Sequence, residues 1–335
     1  MSVRIAINGF GRIGRLVLRA LVESERHDME VVAINDLADV GRLAHLLKYD
    51  SVHGRFPGNV EIENDKMIVN GNEIHVSSSP NPEDLPWAEL GIDIVMECTG
   101  FFLTQDLCNQ HVMAGAKRVL MSAPAKDDTK TIVYGVNDNL ITKDDTILSN
   151  ASCTTNALAP LLSVLHEAYG IASGLMTTIH AYTGDQRLLD ASHKDMYRAR
   201  AAALSMVPTT TGAAKAIGKV LPELDGKLEG TALRVPVPNV SAVDLTVVTE
   251  KPANADDIRS LFKKKSQGEF QNIIGYVDEK LVSSDLNHDP HSTSFVADQV
   301  FANSNNLVRV FAWYDNEWGF SNRMLDTAKA MARFM

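Results

Sequence analysis

Val3-Arg4-Ile5-Ala6-Ile7-Asn8-Gly9-Phe10-Gly11-Arg12-Ile13-Gly14-Arg15 is the stretch on which the fold turns. Val3 to Asn8 is almost continuously apolar, the pattern of a strand buried on both faces. Ile13, Leu16, Val17, Ala20 and Leu21 then recur at helical spacing, and a second apolar run follows from Glu30 to Asn35. Strand, helix and strand in that order form a βαβ unit, which requires a parallel sheet and a right-handed crossover.

Three glycines, Gly9, Gly11 and Gly14, stand between the first strand and the helix it feeds. Glycine there permits a tight turn and lets backbone N–H groups approach a pyrophosphate at the positive end of a helix. Asp36 closes the second strand about 20 residues beyond Gly14, where a carboxylate accepts hydrogen bonds from ribose hydroxyls and repels a 2′-phosphate. The strand-to-helix context and the acid together turn a weak glycine pattern into an expected dinucleotide site with a preference for NAD. The plainer alternative is a tight turn followed by a solvent-facing Asp.

Outward from this unit, Ile92 to Glu97 and Arg118 to Ser122 are further strand candidates flanking a helix over Gln105 to Ala114. Between them Val60 to Ile62, Met67 to Val69 and Ile74 to Val76 alternate around Asn64-Asp65 and Asn70-Gly71, so an antiparallel insert is expected. After about Ala151 longer alternating runs prevail: Gly174 to His180, Thr231 to Val235, Ser241 to Thr249 and Leu307 to Tyr314. Helices over Thr154 to Val164 and Gly212 to Leu221 are expected to cover one face of that sheet. The final segment carries Met324, Leu325, Ala328, Met331 and Ala332 on one face. The expected fold class is α/β: a Rossmann-type doubly wound dinucleotide-binding domain over residues 1–151, then an α+β catalytic domain with a largely antiparallel sheet over 152–319.

The sequence of 335 residues is 45% hydrophobic, enough for two cores without disulfide staples. Its three cysteines are few, odd in number and widely spaced, which suits a reducing compartment. No basic leader precedes the first strand and no apolar run is long enough to span a bilayer, so a cytoplasmic location with no membrane partner is expected. A formal net charge of -10 speaks against nucleic acid as the main partner. Lys263-Lys264-Lys265 reads as a solvated helix face.

Cys153, in Ser149-Asn150-Ala151-Ser152-Cys153-Thr154-Thr155-Asn156, stands where a helix begins, with Leu158, Leu161, Leu162 and Leu165 as its buried stripe. That position is expected to lower the thiol pKa and enrich the nucleophilic thiolate. His180 closes a strand, so its ring sits at an element end. A small core cysteine and a satisfied polar neighbour are the structural alternatives. Cys98 is expected to be packing, Cys108 to lie on a helix, and His288-Asp289-Pro290-His291 to be a loop that binds no metal.

The two motifs already quoted resemble phosphorylating glyceraldehyde-3-phosphate dehydrogenase. So do His180-Ala181-Tyr182-Thr183-Gly184-Asp185-Gln186-Arg187, Pro208-Thr209-Thr210-Thr211-Gly212-Ala213-Ala214-Lys215, Arg234-Val235-Pro236 and Trp313-Tyr314-Asp315-Asn316-Glu317-Trp318-Gly319. The resemblance implies that Cys153 attacks the aldehyde of glyceraldehyde 3-phosphate while His180 takes its proton. Hydride passes to NAD, and inorganic phosphate cleaves the resulting thioester. It assigns Thr183, Asp185 and Arg234 to the substrate's phosphate, and Ser152, Thr154, Arg198, Thr211 and Gly212 to the attacking phosphate. It assigns Gly9, Phe10, Gly11, Arg12, Ile13, Gly14, Asp36, Thr99, Gly100, Ser122 and Asn316 to the cofactor, Asn316 at the nicotinamide. A homotetramer is implied, with the C-terminal helix 320–335 returned to the cofactor domain.

Four positions depart from the family pattern. Ala157 replaces a second cysteine that the chemistry does not need. Phe320 stands where many members carry Tyr beside the nicotinamide. Ala191-Ser192 replaces a Leu-Pro pair typical of strictly NAD-using members, which admits NADP as a weaker alternative cofactor. The rival readings are erythrose-4-phosphate dehydrogenase, whose members typically lack the Tyr182-Thr183-Gly184 and Thr210-Thr211-Gly212 pattern, and a cofactor-sensing scaffold without turnover.

Overall fold

A computed structural model describes residues 2–24 and 26–335. They divide into two compact units. The first takes the chain up to Tyr134, Asp138–Ser152 and Ser321–Met335; the second takes Gly135–Asn137 and Cys153–Phe320. Among the described residues no helix is long and apolar enough to cross a membrane.

The first unit runs β1 (Val3–Asn8), α1 (Arg12–Glu23), β2 (Met29–Asn35), α2 (Val40–Lys48) and a short hairpin of β3 (Tyr49–Asp50) and β4 (Gly54–Arg55). It continues with β5 (Val60–Glu63), β6 (Lys66–Val69), β7 (Asn72–Ser77), β8 (Ile94–Glu97), α3 (Gln105–Met113), β9 (Arg118–Met121) and β10 (Ile147–Ser149). The sheet order is β10-β9-β8-β1-β2-β7-β6-β5. Pairing is parallel from β10 through β7, and antiparallel only at β7-β6 and β6-β5. The expected antiparallel insert is therefore an extension of the main sheet, because β7 pairs parallel with β2 while its turns reverse the outer strands. Those turns need left-handed backbone, and Asn64, Asp65, Asn70 and Gly71 supply φ of 48, 62, 51 and 83°.

β1 has β2 on one side and β8 on the other, so chain direction diverges at its C-terminal end, where such sheets open a ligand crevice. Ile5, Ala6 and Ile7 are buried on both faces of this central strand, and Leu16, Val17, Ala20 and Leu21 turn the stripe of α1 inward. α2 rests on its Asp39 cap, whose side chain accepts from Arg42 N.

The second unit runs α4 (Cys153–Tyr169), β11 (Ile171–Ala181), β12 (Val207–Thr210), α5 (Ala213–Val220), β13 (Leu228–Val235), β14 (Ser241–Thr249), α6 (Ala255–Ser266), β15 (Ile274–Val277), β16 (Thr293–Val296), β17 (Phe301–Ala302) and β18 (Leu307–Tyr314). Its sheet order is β12-β13-β11-β14-β18-β16-β15, with β17 on β18, and pairing is antiparallel except at β11-β13 and β15-β16. α4 is buried nearly all round over Thr154 to Leu162, as a helix this apolar has to be.

α7 (Trp318–Ala332) begins on an Asp315 cap, whose Oδ1 accepts from Glu317 N and Trp318 N at 2.9 and 2.8 Å. Met324, Leu325, Ala328 and Met331 are fully buried, and Ala332 is half-buried. Within the first unit Asp326 meets Arg26 at 2.6 Å and Lys329 meets Asp28 at 2.5 Å. His288 stacks on Trp318 with ring centroids 3.6 Å apart, and His291 Nδ1 lies 2.6 Å from Asp289.

Candidate active site

In the first unit, the ends of β1, β2 and β8 enclose a cleft of about 420 Å³ lined by Gly9, Gly11, Asp36, Cys98, Thr99 and Phe101 among others. Gly9 has φ +89° and Gly14 lies so close beneath it that a Cβ on Gly14 would stand 2.2 Å from Gly9 O. A Cβ on Gly11, by contrast, would meet nothing within 4 Å. One glycine thus packs the turn and the other keeps the cradle open, the arrangement a pyrophosphate needs. Asp36 Oδ2 accepts from Phe10 N at 2.8 Å and Oδ1 from Ala38 N at 3.0 Å, which ties the glycine turn to the end of β2. Arg12 pairs with Asp50 at 2.5 Å.

Thr99 and Gly100 follow β8 directly, and Ser122 follows β9, where its N–H donates to Glu97 O at 2.9 Å. Cys98 lies just past β8, which ends at Glu97, and it lines the cleft partly exposed. Burial and the Glu97 charge push its thiol up to about 12, so it is inert. Cys108 is fully buried on α3.

Sequence reasoning missed the group that holds this cleft's floor. Glu97 is fully buried, with Oε2 accepting from Asn8 Nδ2 at 2.6 Å and lying 3.1 Å from His111 Nε2. Trp87 Nε1 donates to His111 Nδ1 at 3.0 Å, so the His111 proton sits on Nε2 and points at the carboxylate. Glu97 Oε1 accepts from Thr99 N at 2.7 Å and from the Thr99 hydroxyl. Asn8 Oδ1 in turn accepts from Asn35 Nδ2. Glu97 read as one more member of an apolar strand, and nothing in the spacing pointed to its partners.

In the second unit Cys153 is the first residue of α4 and partly exposed, and His180 lies one residue from the end of β11. Cys153 Sγ is 3.5 Å from His180 Nε2. The other ring nitrogen, Nδ1, donates to Ala181 O at 2.7 Å, which leaves Nε2 as the bare acceptor facing the thiol. Burial pushes the His180 pKa down to about 3, with the Arg234 charge acting the same way. Burial also raises the Cys153 thiol, outweighing the lowering by Arg234 and by the Thr154 hydrogen bonds. The helix position alone predicts a lowered thiol; crowding around the sulfur reverses that. The resting pair is thiol and neutral imidazole, a nucleophile beside an unprotonated base.

Parallel pairing of β11 with β13 sets His180 in register with Arg234. Arg234 Nη1 donates to Ala181 O at 3.1 Å and to Thr183 Oγ1 at 3.2 Å. Arg198 Nη1 donates to Asp185 at 2.5 Å, Nε to Thr209 Oγ1 at 3.1 Å and Nη2 to Thr210 O at 3.3 Å. Burial works to raise the Asp185 carboxyl, but the hydrogen bond and charge of Arg198 outweigh it and hold it below the usual range. Asp185 therefore orients Arg198. Thr211 Oγ1 accepts from Ala213 N at 3.2 Å at the start of α5, and a Cβ on Gly212 would meet nothing within 4 Å. Thr154 Oγ1 lies 2.9 Å from Tyr314 Oη, which also meets Thr178 Oγ1 at 2.8 Å. Tyr314 sets its ring edge-on to His180, centroids 5.9 Å apart. Ser152 precedes the nucleophile directly. Asn316 Oδ1 accepts from Ser241 Oγ at 2.7 Å.

Family models agree with this chain over both units. That for the glyceraldehyde 3-phosphate dehydrogenase NAD binding domain matches residues 3–105, and that for the C-terminal domain matches 152–316. Glyceraldehyde-3-phosphate dehydrogenase of Cereibacter sphaeroides is 56% identical over 335 residues, covering 100% of both chains. The Xanthobacter flavus enzyme of that name is 56% identical over 333 residues, and that of Geobacillus stearothermophilus 51% over 333, each covering 99% of both chains. With a cysteine and imidazole in place, a glycine-cradled cleft, and similarity along the whole length, the chain belongs to the glyceraldehyde-3-phosphate dehydrogenase family.

Proposed function

We propose that the chain catalyses the phosphorylating oxidation of D-glyceraldehyde 3-phosphate to 1,3-bisphosphoglycerate with reduction of NAD. The observation that carries this reading is the 3.5 Å approach of Cys153 Sγ to a His180 Nε2 kept unprotonated by the Ala181 carbonyl. As sulfur bonds to the aldehyde carbon, its proton moves to Nε2, and the imidazolium then faces the oxyanion of the thiohemiacetal. NAD, when bound, supplies the hydride acceptor. Loss of hydride leaves a Cys153 thioester. An oxygen of inorganic phosphate attacks that carbonyl, the thiolate departs, and His180 returns the proton.

Two anion pockets are needed. Arg234 and Thr183 suit the substrate's own phosphate, and Asp185, which the resemblance groups with them, serves the attacking phosphate by orienting Arg198. Arg198, Thr211, Gly212, Thr154 and Ser152 suit the attacking phosphate, since forked guanidinium groups, hydroxyls and backbone N–H groups match tetrahedral oxyanions. The open cradle at Gly11 and the Asp36 carboxylate fit NAD. Phe10, Arg12, Ile13 and Gly14 complete the cradle, Thr99, Gly100 and Ser122 border it, and Asn316 serves the nicotinamide carboxamide. Asp36 disfavours a 2′-phosphate, so NADP is the weaker cofactor. The exposed Leu188, Leu189, Met196, Tyr197, Leu204 and Met206 support burial of this segment in a homotetramer. A cytoplasmic enzyme is the reading that the cysteine content favours.

NADH formation from glyceraldehyde 3-phosphate, followed at 340 nm with phosphate varied, tests the reading. Turnover is expected to require phosphate and to vanish in Cys153→Ser. Turnover indifferent to phosphate points to erythrose-4-phosphate dehydrogenase chemistry instead, and full activity in Cys153→Ser sinks the mechanism.

A further inference from the structure

Ser241 opens β14 with 1% exposure and sits opposite Tyr314, the last residue of β18. Its hydroxyl accepts from Ala181 N at 3.0 Å and donates to Asn316 Oδ1 at 2.7 Å. Ala181 is the residue whose carbonyl accepts the hydrogen bond from His180 Nδ1. The residue before Ser241, Val240, has φ +64°, a conformation a β-branched side chain adopts only when its surroundings dictate it. Two residues back, Asn239 Nδ2 donates to Asp315 Oδ2 at 2.8 Å. Asn239 and Ser241 thus grip the consecutive residues Asp315 and Asn316 across a strained Val240.

We propose that Ser241 is a positioning residue that couples the base to the cofactor anchor. One hydroxyl fixes both Ala181, the residue whose carbonyl sets the His180 tautomer, and the orientation of the Asn316 amide. With Oδ1 committed to Ser241, the group Asn316 presents is its NH2 donor, the match for a carboxamide oxygen. A flipped amide would present an acceptor and lose that match. The inference rests on the proposed role of Asn316 at the nicotinamide.

The test compares Ser241→Ala and Ser241→Thr in the full chain by three readouts. These are the NAD dissociation constant from tryptophan fluorescence, the face specificity of hydride transfer with C4-deuterated NADH, and the pH profile of Cys153 alkylation without NAD. Ser241→Ala is expected to weaken NAD about 5-fold, the effect of one lost hydrogen bond, to leak deuterium to the second face, and to displace the alkylation profile. Ser241→Thr restores all three. If the alanine form accumulates poorly, Ser241→Cys keeps the volume with a weaker donor and is expected to shift them in the same directions. A lowered Tm with all three readouts at wild-type values overturns the proposal.

Asn316→Ala separates this inference from the reading beneath it. It is expected to weaken NAD by itself, and Ser241→Ala is expected to add nothing to the dissociation constant in that background. An additive loss refutes the route through Asn316. An Asn316→Ala protein with unchanged NAD affinity removes the nicotinamide anchor, and the coupling with it, while leaving the Cys153 chemistry standing.

Discussion

Gly14→Ala and Gly11→Ala look equivalent in sequence, yet the structure separates them. A Cβ on Gly14 would lie 2.2 Å from Gly9 O and 2.9 Å from Ile7 Cγ2. Relief requires Gly9 to retreat by about 1 Å, since ordinary contacts begin near 3.4 Å. Gly9 has nowhere to go, because its own Cβ direction already runs into Thr99 N at 2.7 Å. Overpacking against backbone sits at the upper end of the usual range, about 3 kcal/mol. The same methyl at Gly11 touches no protein atom, and at a helix cap Gly and Ala differ by under about 1 kcal/mol. It does fill the cradle. Losing one charge-assisted hydrogen bond to the pyrophosphate costs about 2–3 kcal/mol, or roughly 30- to 150-fold in affinity. Urea unfolding and NAD titration of both variants are the assays. Gly11→Ala is expected to keep wild-type stability and lose NAD, whereas Gly14→Ala loses both, and Cys153 stays alkylatable in Gly11→Ala. Gly11→Ala binding NAD within 2-fold of wild type would refute the cradle.

Other expectations concern charges and buried partners. His180→Asn alters the pH dependence of stability: the folded pKa near 3 lies below the unfolded 6.5, so the native imidazole's contribution is complete above about pH 6.5 and drains as pH falls toward 3. Wild type is therefore expected to lose stability faster than His180→Asn over that window, and parallel urea curves at pH 5 and 7 would contradict the assigned burial. Asp185→Asn releases Arg198 and is expected to raise the KM for phosphate severalfold while NAD affinity holds; an unchanged KM would show that Arg198 needs no such guide. His111→Leu removes a partner from the fully buried Glu97 and is expected to destabilise by about 3 kcal/mol, read by thermal or urea unfolding. A loss under 1 kcal/mol would mean that water replaces the imidazole.

How far the fold was legible varied with the physics of each segment. β1, β14 and β18 have the bounds the sequence gives them, because buried runs and strict alternation leave one register. The Asn64-Asp65 and Asn70-Gly71 turns were readable because few residues enter left-handed backbone cheaply. α2 was not, since Gly41 interrupts its first turn, although the Asp39 cap was a usable signal. β15 and β16 were not, since they pair with each other in parallel across a polar connection and β16 meets the long strand β18 only at Ser294 and Phe295. The Cys153 and His180 pair was findable from chain position plus motif. Ser241, Tyr314 and the Glu97 to His111 contact were not, because each depends on a side chain meeting a partner far along the chain, and no periodicity encodes that.

The parallel join between β11 and β13 has an evolutionary consequence. The connection from Ala181 to Leu228 holds the long irregular stretch, β12 and α5, so residues added or lost in its exposed parts leave the two strands in step. A single deletion inside β13 is another matter. It would carry Arg234 to the opposite side of the sheet from His180, and β13 holds no second basic residue to take its place. Length variation among descendants of this gene is therefore expected to collect in the connection and to spare the few residues of the strand.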